Sequence, residues 1–153
     1  MPQNPPIADL VRECLMLPPQ PGSLHVARPG VPSDRQLRKA RVTHRLGPWE
    51  EIIAVWQWGR VAGLVSAMPS SLIFMSDGIR IAEPRLRLAI SYDTFGEYTF
   101  RYEYIPGGRA GPDVAQLVIE GPTLWRSPSA DQEAELIADD LTRIKALAGS
   151  ARS

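Results

Sequence analysis

The chain reads as a mainly β, α+β domain closed by a C-terminal helix, and three observations predict it. From Glu50 to Arg126, short runs rich in β-branched and aromatic residues are separated by turn residues, the spacing of an antiparallel sandwich or small barrel. After Pro128, Leu136, Ile137, Asp140, Leu141, Ile144 and Leu147 recur at helical spacing, with acids early and Arg143 and Lys145 late, as the helix dipole favours. The 153 residues are 44% hydrophobic and 22% charged, enough for one core that removes roughly 70% of the unfolded surface from water.

Eight of the fifteen prolines fall in the first 32 residues, so that stretch forms neither a continuous helix nor a central strand. Within it, Ile7, Leu10, Val11, Cys14 and Leu17 share one face of a proline-free segment, predicting an amphipathic helix bounded by Pro5-Pro6 and Pro18-Pro19. Three turns of helix are marginal alone in water, so this face needs a surface to pack on, in its own domain or in another molecule. Residues 18 to 32 read as an extended linker, and residues 1 to 32 as an extension preceding a single domain at 33 to 153. Ser33 or Asp34 then caps a basic segment, DRQLRKARVTHRL, helical up to Gly47 and Pro48.

Expected strands follow. Glu51 to Trp58 is the first, with Trp56 and Trp58 on one face and Val55 and Gln57 on the other. Ser71 to Met75 and Gly78 to Ala82 flank Ser76-Asp77-Gly78, a hairpin turn in which glycine is expected to supply a positive φ. Leu86 to Tyr92 and Glu97 to Tyr104 come next, the latter alternating Tyr98, Phe100, Tyr102 and Tyr104 against polar neighbours, so that one face is aromatic. Pro106 to Pro112 is a loop, Val114 to Glu120 returns to the sheet, Gly121-Pro122 turns into Thr123 to Arg126, and Ser129 caps the final helix.

Composition excludes several function classes. Seventeen basic residues balance seventeen acidic ones, so no whole-molecule field draws in nucleic acid or an anionic bilayer, and such attraction has to be local. Arg35, Arg38, Lys39, Arg41 and Arg45 are the one concentrated basic stretch. Cys14 is the single cysteine, which excludes an internal disulfide and fits a reducing compartment such as the cytoplasm. No run approaches the ~18 apolar residues of a membrane span.

An enzyme would need a nucleophile with a base, tuned carboxylates or a metal cluster, and none is spelled out. His25 and His44 lack cysteine or carboxylate neighbours at metal-ligand spacing and read as solvated or hydrogen-bonding histidines. The acids Glu133, Glu135, Asp139 and Asp140 read as solvent-facing or dipole-compensating. GPWEE, DGIRIA and PGGRAGP are turns rather than phosphate cradles. Asp77, Asp93 and Glu97 are the carboxylates an unrecognised active site would use, and Arg60, Arg80, Arg85 and Arg87 the cations of a lipid-headgroup site. Trp49 and Trp125 read as packing residues.

EEIIAVWQWG (Glu50 to Gly59), SSLIFMSDGIRI (Ser70 to Ile81) and AISYDTFGEYTF (Ala89 to Phe100) resemble strands of bacterial pleckstrin-homology-like (PH-like) domains, over about residues 34 to 148. That resemblance implies an antiparallel barrel or sandwich of about seven strands with a C-terminal capping helix, here with N-terminal helical additions, and a scaffold for binding rather than catalysis. The expected function is a non-catalytic protein-interaction module without metal or cofactor, of the kind that serves as a toxin-immunity or defence-associated subunit. Leu10, Cys14 and Leu17, Arg38 and Arg41, Trp56 and Trp58, and Arg109 are the expected partner-binding residues. Nucleic-acid or anionic-lipid binding through the basic segment 34 to 45 is the alternative.

Overall fold

A computed structural model describes residues 6–22, 24–28, 30, 35–57, 71–83, 86–106, 109, 114–127 and 133–150. Helix α1 (Ile7–Met16) leads into strand β1 (Leu24–Val26), helix α2 (Arg35–Thr43), strands β2 (Ile52–Gln57), β3 (Ser71–Met75), β4 (Gly78–Glu83) and β5 (Leu86–Ser91), a 3-10 helix (Tyr92–Glu97), strands β6 (Thr99–Ile105), β7 (Val114–Glu120) and β8 (Leu124–Arg126), and helix α3 (Ala134–Ser150). The strands form two antiparallel sheets, β1-β2-β3-β4-β5 and β6-β7-β8. The mainly β, α+β expectation with its closing helix is met.

The linker expected at 18 to 32 is corrected at Leu24–Val26, which pairs with β2 in the register Leu24↔Trp56, His25↔Val55, Val26↔Ala54. Three residues of strand among prolines carry too little pattern to be seen in sequence, but they suffice to extend a sheet edge. Helix α2 stops at Thr43, short of Gly47, with a chain reversal in which the Arg45 amide donates to the Val42 carbonyl and the Leu46 amide to the Arg41 carbonyl. Arg45 takes the left-handed conformation there, φ 52°. The expected caps at Ser33, Asp34 and Ser129, the turn part of 111–113, and the segment from Trp58 to Pro69 lie outside the described residues.

The hairpin between β3 and β4 is where expected, but its glycine has a different reason. Gly78 does not take a positive φ; a Cβ there would collide with the Ile90 carbonyl oxygen of β5. Close backbone approach, not turn dihedral, demands glycine.

One large core fills the space between the two sheets. Trp56, Leu72, Phe74, Ile79, Ile81 and Ile90 from the first sheet meet Phe100, Leu117 and Ile119 from the second, with Ile137, Leu141 and Ile144 of α3. Helix α1 belongs to this core: Val11, Cys14 and Leu15 are buried in it, against α3 and the β1–β2 edge. A second, smaller apolar layer lies on the opposite face of the five-stranded sheet, where Leu37 and Ala40 of α2 pack on Ile52, Val55, Ile73 and Met75. Because both faces are covered, β3 is buried at every position and β2 at all but Gln57.

Candidate functional site

Helix α2 positions the surface that stands out. Leu37, Ala40, Arg41 and His44 face the sheet, while Arg35, Arg38, Lys39 and Val42 share the opposite side and, with Arg45 just past the helix, are all exposed. Beneath α2, the His44 imidazole and the Ser71 hydroxyl of β3 lie 2.8 Å apart. That separation is typical of a nucleophile and its base, but Ser71 is 1% exposed and lies on the buried strand β3, where the pair acts as a structural contact. Burial and the nearby Arg87 and Arg80 hold the His44 pKa down to about 4, so the ring is neutral at physiological pH. The pair fastens α2 to the sheet, as does the Arg87 guanidinium, which donates to the Thr43 carbonyl at 3.1 Å.

The connection from α2 to β2 is a tight turn, Gly47-Pro48-Trp49-Glu50. The Glu50 amide donates to the Gly47 carbonyl at 3.2 Å, and Pro48 supplies the fixed φ that the second position of such a turn favours. Arg41 clamps it from below, donating to the Glu50 carbonyl at 2.7 Å and to the Gly47 carbonyl at 2.8 Å. The Glu50 carboxylate accepts from the Gly47 amide at 2.9 Å and from Arg80 of β4 at 2.8 Å. Those bonds, Arg80 foremost and the Gly47 amide next, hold the Glu50 pKa below the usual carboxylate range. At the apex, the Trp49 side chain is 94% exposed.

Trp49 was expected to pack, and the structure corrects that: a fastened turn lifts its indole into solvent, and Val42 on α2 is also exposed, at 79%. The signal was present in Gly-Pro-Trp-Glu, because a residue that follows proline in a turn between two packed elements has no core within reach. Trp125, by contrast, is buried as expected, its indole donating to Glu83 at 2.9 Å.

The other expected site residues scatter. Cys14 is buried against α3, and Leu10 is half-buried and Leu17 half-exposed at the end of α1, so the first helix docks within its own domain. Trp56 is fully buried, which settles its side of β2 as core rather than ligand platform; Trp58, Arg60 and Arg85 lie outside the described residues. Arg38 is exposed on α2, Arg41 is spent on the turn, and Arg109 is exposed between β6 and β7. Asp77, Asp93 and Glu97 are each exposed. Among the described residues no group of three or more His, Cys, Asp or Glu is placed to hold a metal ion. No described helix is long and apolar enough to cross a membrane.

Of the alternating aromatics, Tyr98 just before β6 and Phe100 within it go into the core, 8% and 6% exposed; Tyr102 is half-buried and Tyr104 is exposed, its hydroxyl donating to Glu135 at 3.0 Å. Asp140 corrects the reading of the α3 acids: it is 3% exposed, faces Cys14 of α1, and has one guanidinium, Arg143, at 3.4 Å. Burial pushes its pKa up to about 6, against the opposing pull of Arg143.

No protein-family model, no curated protein and no solved structure matches this chain.

Proposed function

We propose that the chain is a non-catalytic protein-interaction module on a PH-like scaffold, and that it meets its partner through the Trp49 turn and the adjoining exposed side of α2. The observation that carries this is the 94% exposed Trp49 on a turn held by five hydrogen bonds. An indole left in water forfeits on the order of 4–6 kcal/mol of apolar burial, which a partner's pocket would recover. A rigid turn loses little further entropy when it docks, and tryptophan beside arginine is the composition of interface hot spots. The PH-like part of the proposal rests on the resemblance of the strand motifs, which implies about seven antiparallel strands and a closing helix; two antiparallel sheets, of five and three strands among the described residues, followed by a C-terminal helix support it. A stoichiometric immunity or defence subunit suits such a rigid, preformed epitope.

Affinity capture from the source cells with the full chain and with Trp49→Ala, read by mass spectrometry, tests the proposal. The expected result is a stoichiometric protein retained by the first and lost with the second. Identical partner sets for both proteins would end it.

A further inference from the structure

Resting on that reading of the Trp49 surface, we infer that the partner presents an acidic protein segment with an apolar pocket, the pocket taking Trp49 and the carboxylates facing α2. The charge distribution carries the inference. Arg35, Arg38, Lys39 and Arg45 line one exposed side of α2 with Val42 among them, and the helix holds no acid from Arg35 to Thr43. Over the whole chain the charges cancel, so this stripe is a local excess on a neutral molecule and selects by short-range pairing rather than long-range steering. The two parts are adjacent in the fold because Arg41 joins the helix to the turn at both Gly47 and Glu50. A partner that buries Trp49 therefore docks at the turn that Arg41 ties to α2, the helix that carries the cations.

The same observations favour a protein over nucleic acid. Single-strand binding needs successive aromatic side chains on which bases stack. Here Tyr98 and Phe100 are buried in the core, Tyr102 and Tyr104 on β6 meet edge-on at 5.4 Å rather than as a stacking platform, and Trp49 stands on the α2–β2 turn as one isolated indole. A single exposed tryptophan, with the exposed aliphatic Val42 on the adjoining helix, matches an apolar pocket better than a stack of bases. A lipid surface is disfavoured by geometry as well: Arg80, a cation the headgroup reading needs, is engaged by Glu50 at 2.8 Å.

Three probes of defined chemistry test this on the full, isotopically labelled chain: a 16-residue peptide alternating Glu with Leu, a 16-nucleotide oligothymidylate, and small vesicles of phosphatidylglycerol with phosphatidylcholine. Amide and indole resonances are followed by NMR. The expected result is that the peptide shifts the Trp49 indole N–H and the amides of residues 35–50. Affinity should fall about tenfold or more in the Arg35→Glu, Lys39→Glu double variant and in high salt, as counter-charge pairing requires. Unchanged dispersion of the remaining resonances shows the double variant to be folded. Oligothymidylate or vesicles shifting the Trp49 indole more strongly than the peptide would overturn the acidic partner while leaving the Trp49 site standing. Peptide shifts centred on another surface would overturn the site itself, and no shift at millimolar peptide would overturn the inference.

Discussion

The two faces of the five-stranded sheet are covered by different means. The inner face is closed by aliphatic and aromatic packing: Trp56, Phe74, Ile79 and Ile81 against the second sheet, α1 and α3. Among the described residues the outer face carries a smaller layer of six buried apolar residues, and polar bonds supplement it: His44 with Ser71, Arg87 with Thr43, Arg41 with the turn, Arg80 with Glu50. Directional bonds fix orientation where apolar contact fixes only proximity. The inner face makes the fold, and the outer one holds a helix and a turn in a defined pose, which is what a binding surface needs.

The sharpest test of that contrast is one substitution made on both faces. Leu15→Ala, in the fully buried α1 seam, is expected to cost about 3–5 kcal/mol, because it empties space that α3 and the sheet cannot refill. Leu37→Ala under α2 is expected to cost about 2 kcal/mol, since a surface helix can settle onto a smaller side chain. Urea unfolding measures both. Equal losses would mean the outer layer is as closely packed as the inner core. Leu15→Ala would also show that the N-terminal helix is part of the fold rather than an appendage.

Each face also buries a group that titrates in mild acid, and the two act in opposite directions. His44 has its pKa lowered from 6.5 to about 4, so protonation is disfavoured in the folded state; its contribution is complete above pH 6.5 and is lost as pH falls toward 4. Asp140 has its pKa raised from 3.8 to about 6, so the folded state takes up a proton first; its burden is complete above pH 6 and is relieved as pH falls toward 3.8. Each spans on the order of 3 kcal/mol, and over pH 4 to 6 the two nearly cancel. Asp140→Asn is expected to raise stability by about 1–2 kcal/mol at pH 7 and to expose a fall of about 3 kcal/mol between pH 6.5 and 4. His44→Gln should do the reverse and gain stability in acid relative to the parent. Urea midpoints at pH 4, 5, 6 and 7 decide it; parallel profiles for all three proteins would show that neither group is desolvated.

How much of this was legible in sequence follows from the same division. Strands β2 to β8 and α3 were readable because their β-branched, aromatic and apolar residues form short runs or sit at the strand or helix period, between turns that carry glycine or proline. Strand β1 was not, since Leu24–Val26 gains its stability from pairing with a neighbour 30 residues away. The continuous apolar runs in IIAVW and SLIFM were the visible sign that α2 covers the sheet's outer face, a sign that alternation alone obscures. Asp140 was misread because acids on a helix have a ready solvent-side or dipole explanation, although its place on the stripe with Ile137, Leu141 and Ile144 already turned it toward the core, where α1 covers it. Trp49 was misread for a related reason. Tryptophan is usually buried, and only the clamp by Arg41, nine residues back in sequence from Glu50, shows that this turn holds it outward.

The clamp should be separable from the packing beneath it. Arg41→Ala removes two bonds to backbone carbonyls and is expected to cost about 1–2 kcal/mol, with increased mobility of Trp49 seen in its indole relaxation. Glu50 adds a pH signature of its own. Because its pKa is depressed in the folded protein, its hold on the turn is present above pH 4.5 and is lost as pH falls below the ordinary carboxylate range. The Trp49 indole should therefore gain mobility in acid in the parent and already be mobile at neutral pH in Glu50→Gln. An indole equally rigid in all three proteins would remove the clamp from the account.

The smallest expected effect on stability is the most informative about function. Trp49→Ala deletes a side chain that is 94% exposed, so its removal forfeits almost no burial and should change stability by no more than about 0.5 kcal/mol. A side chain of that size that adds nothing to the fold, on a turn held by five bonds, is what the proposed partner contact requires. If Trp49→Ala instead destabilised the protein by about 2 kcal/mol or more, the indole would be packing in solution against its own surface, and the outer face would be a second core rather than a binding surface.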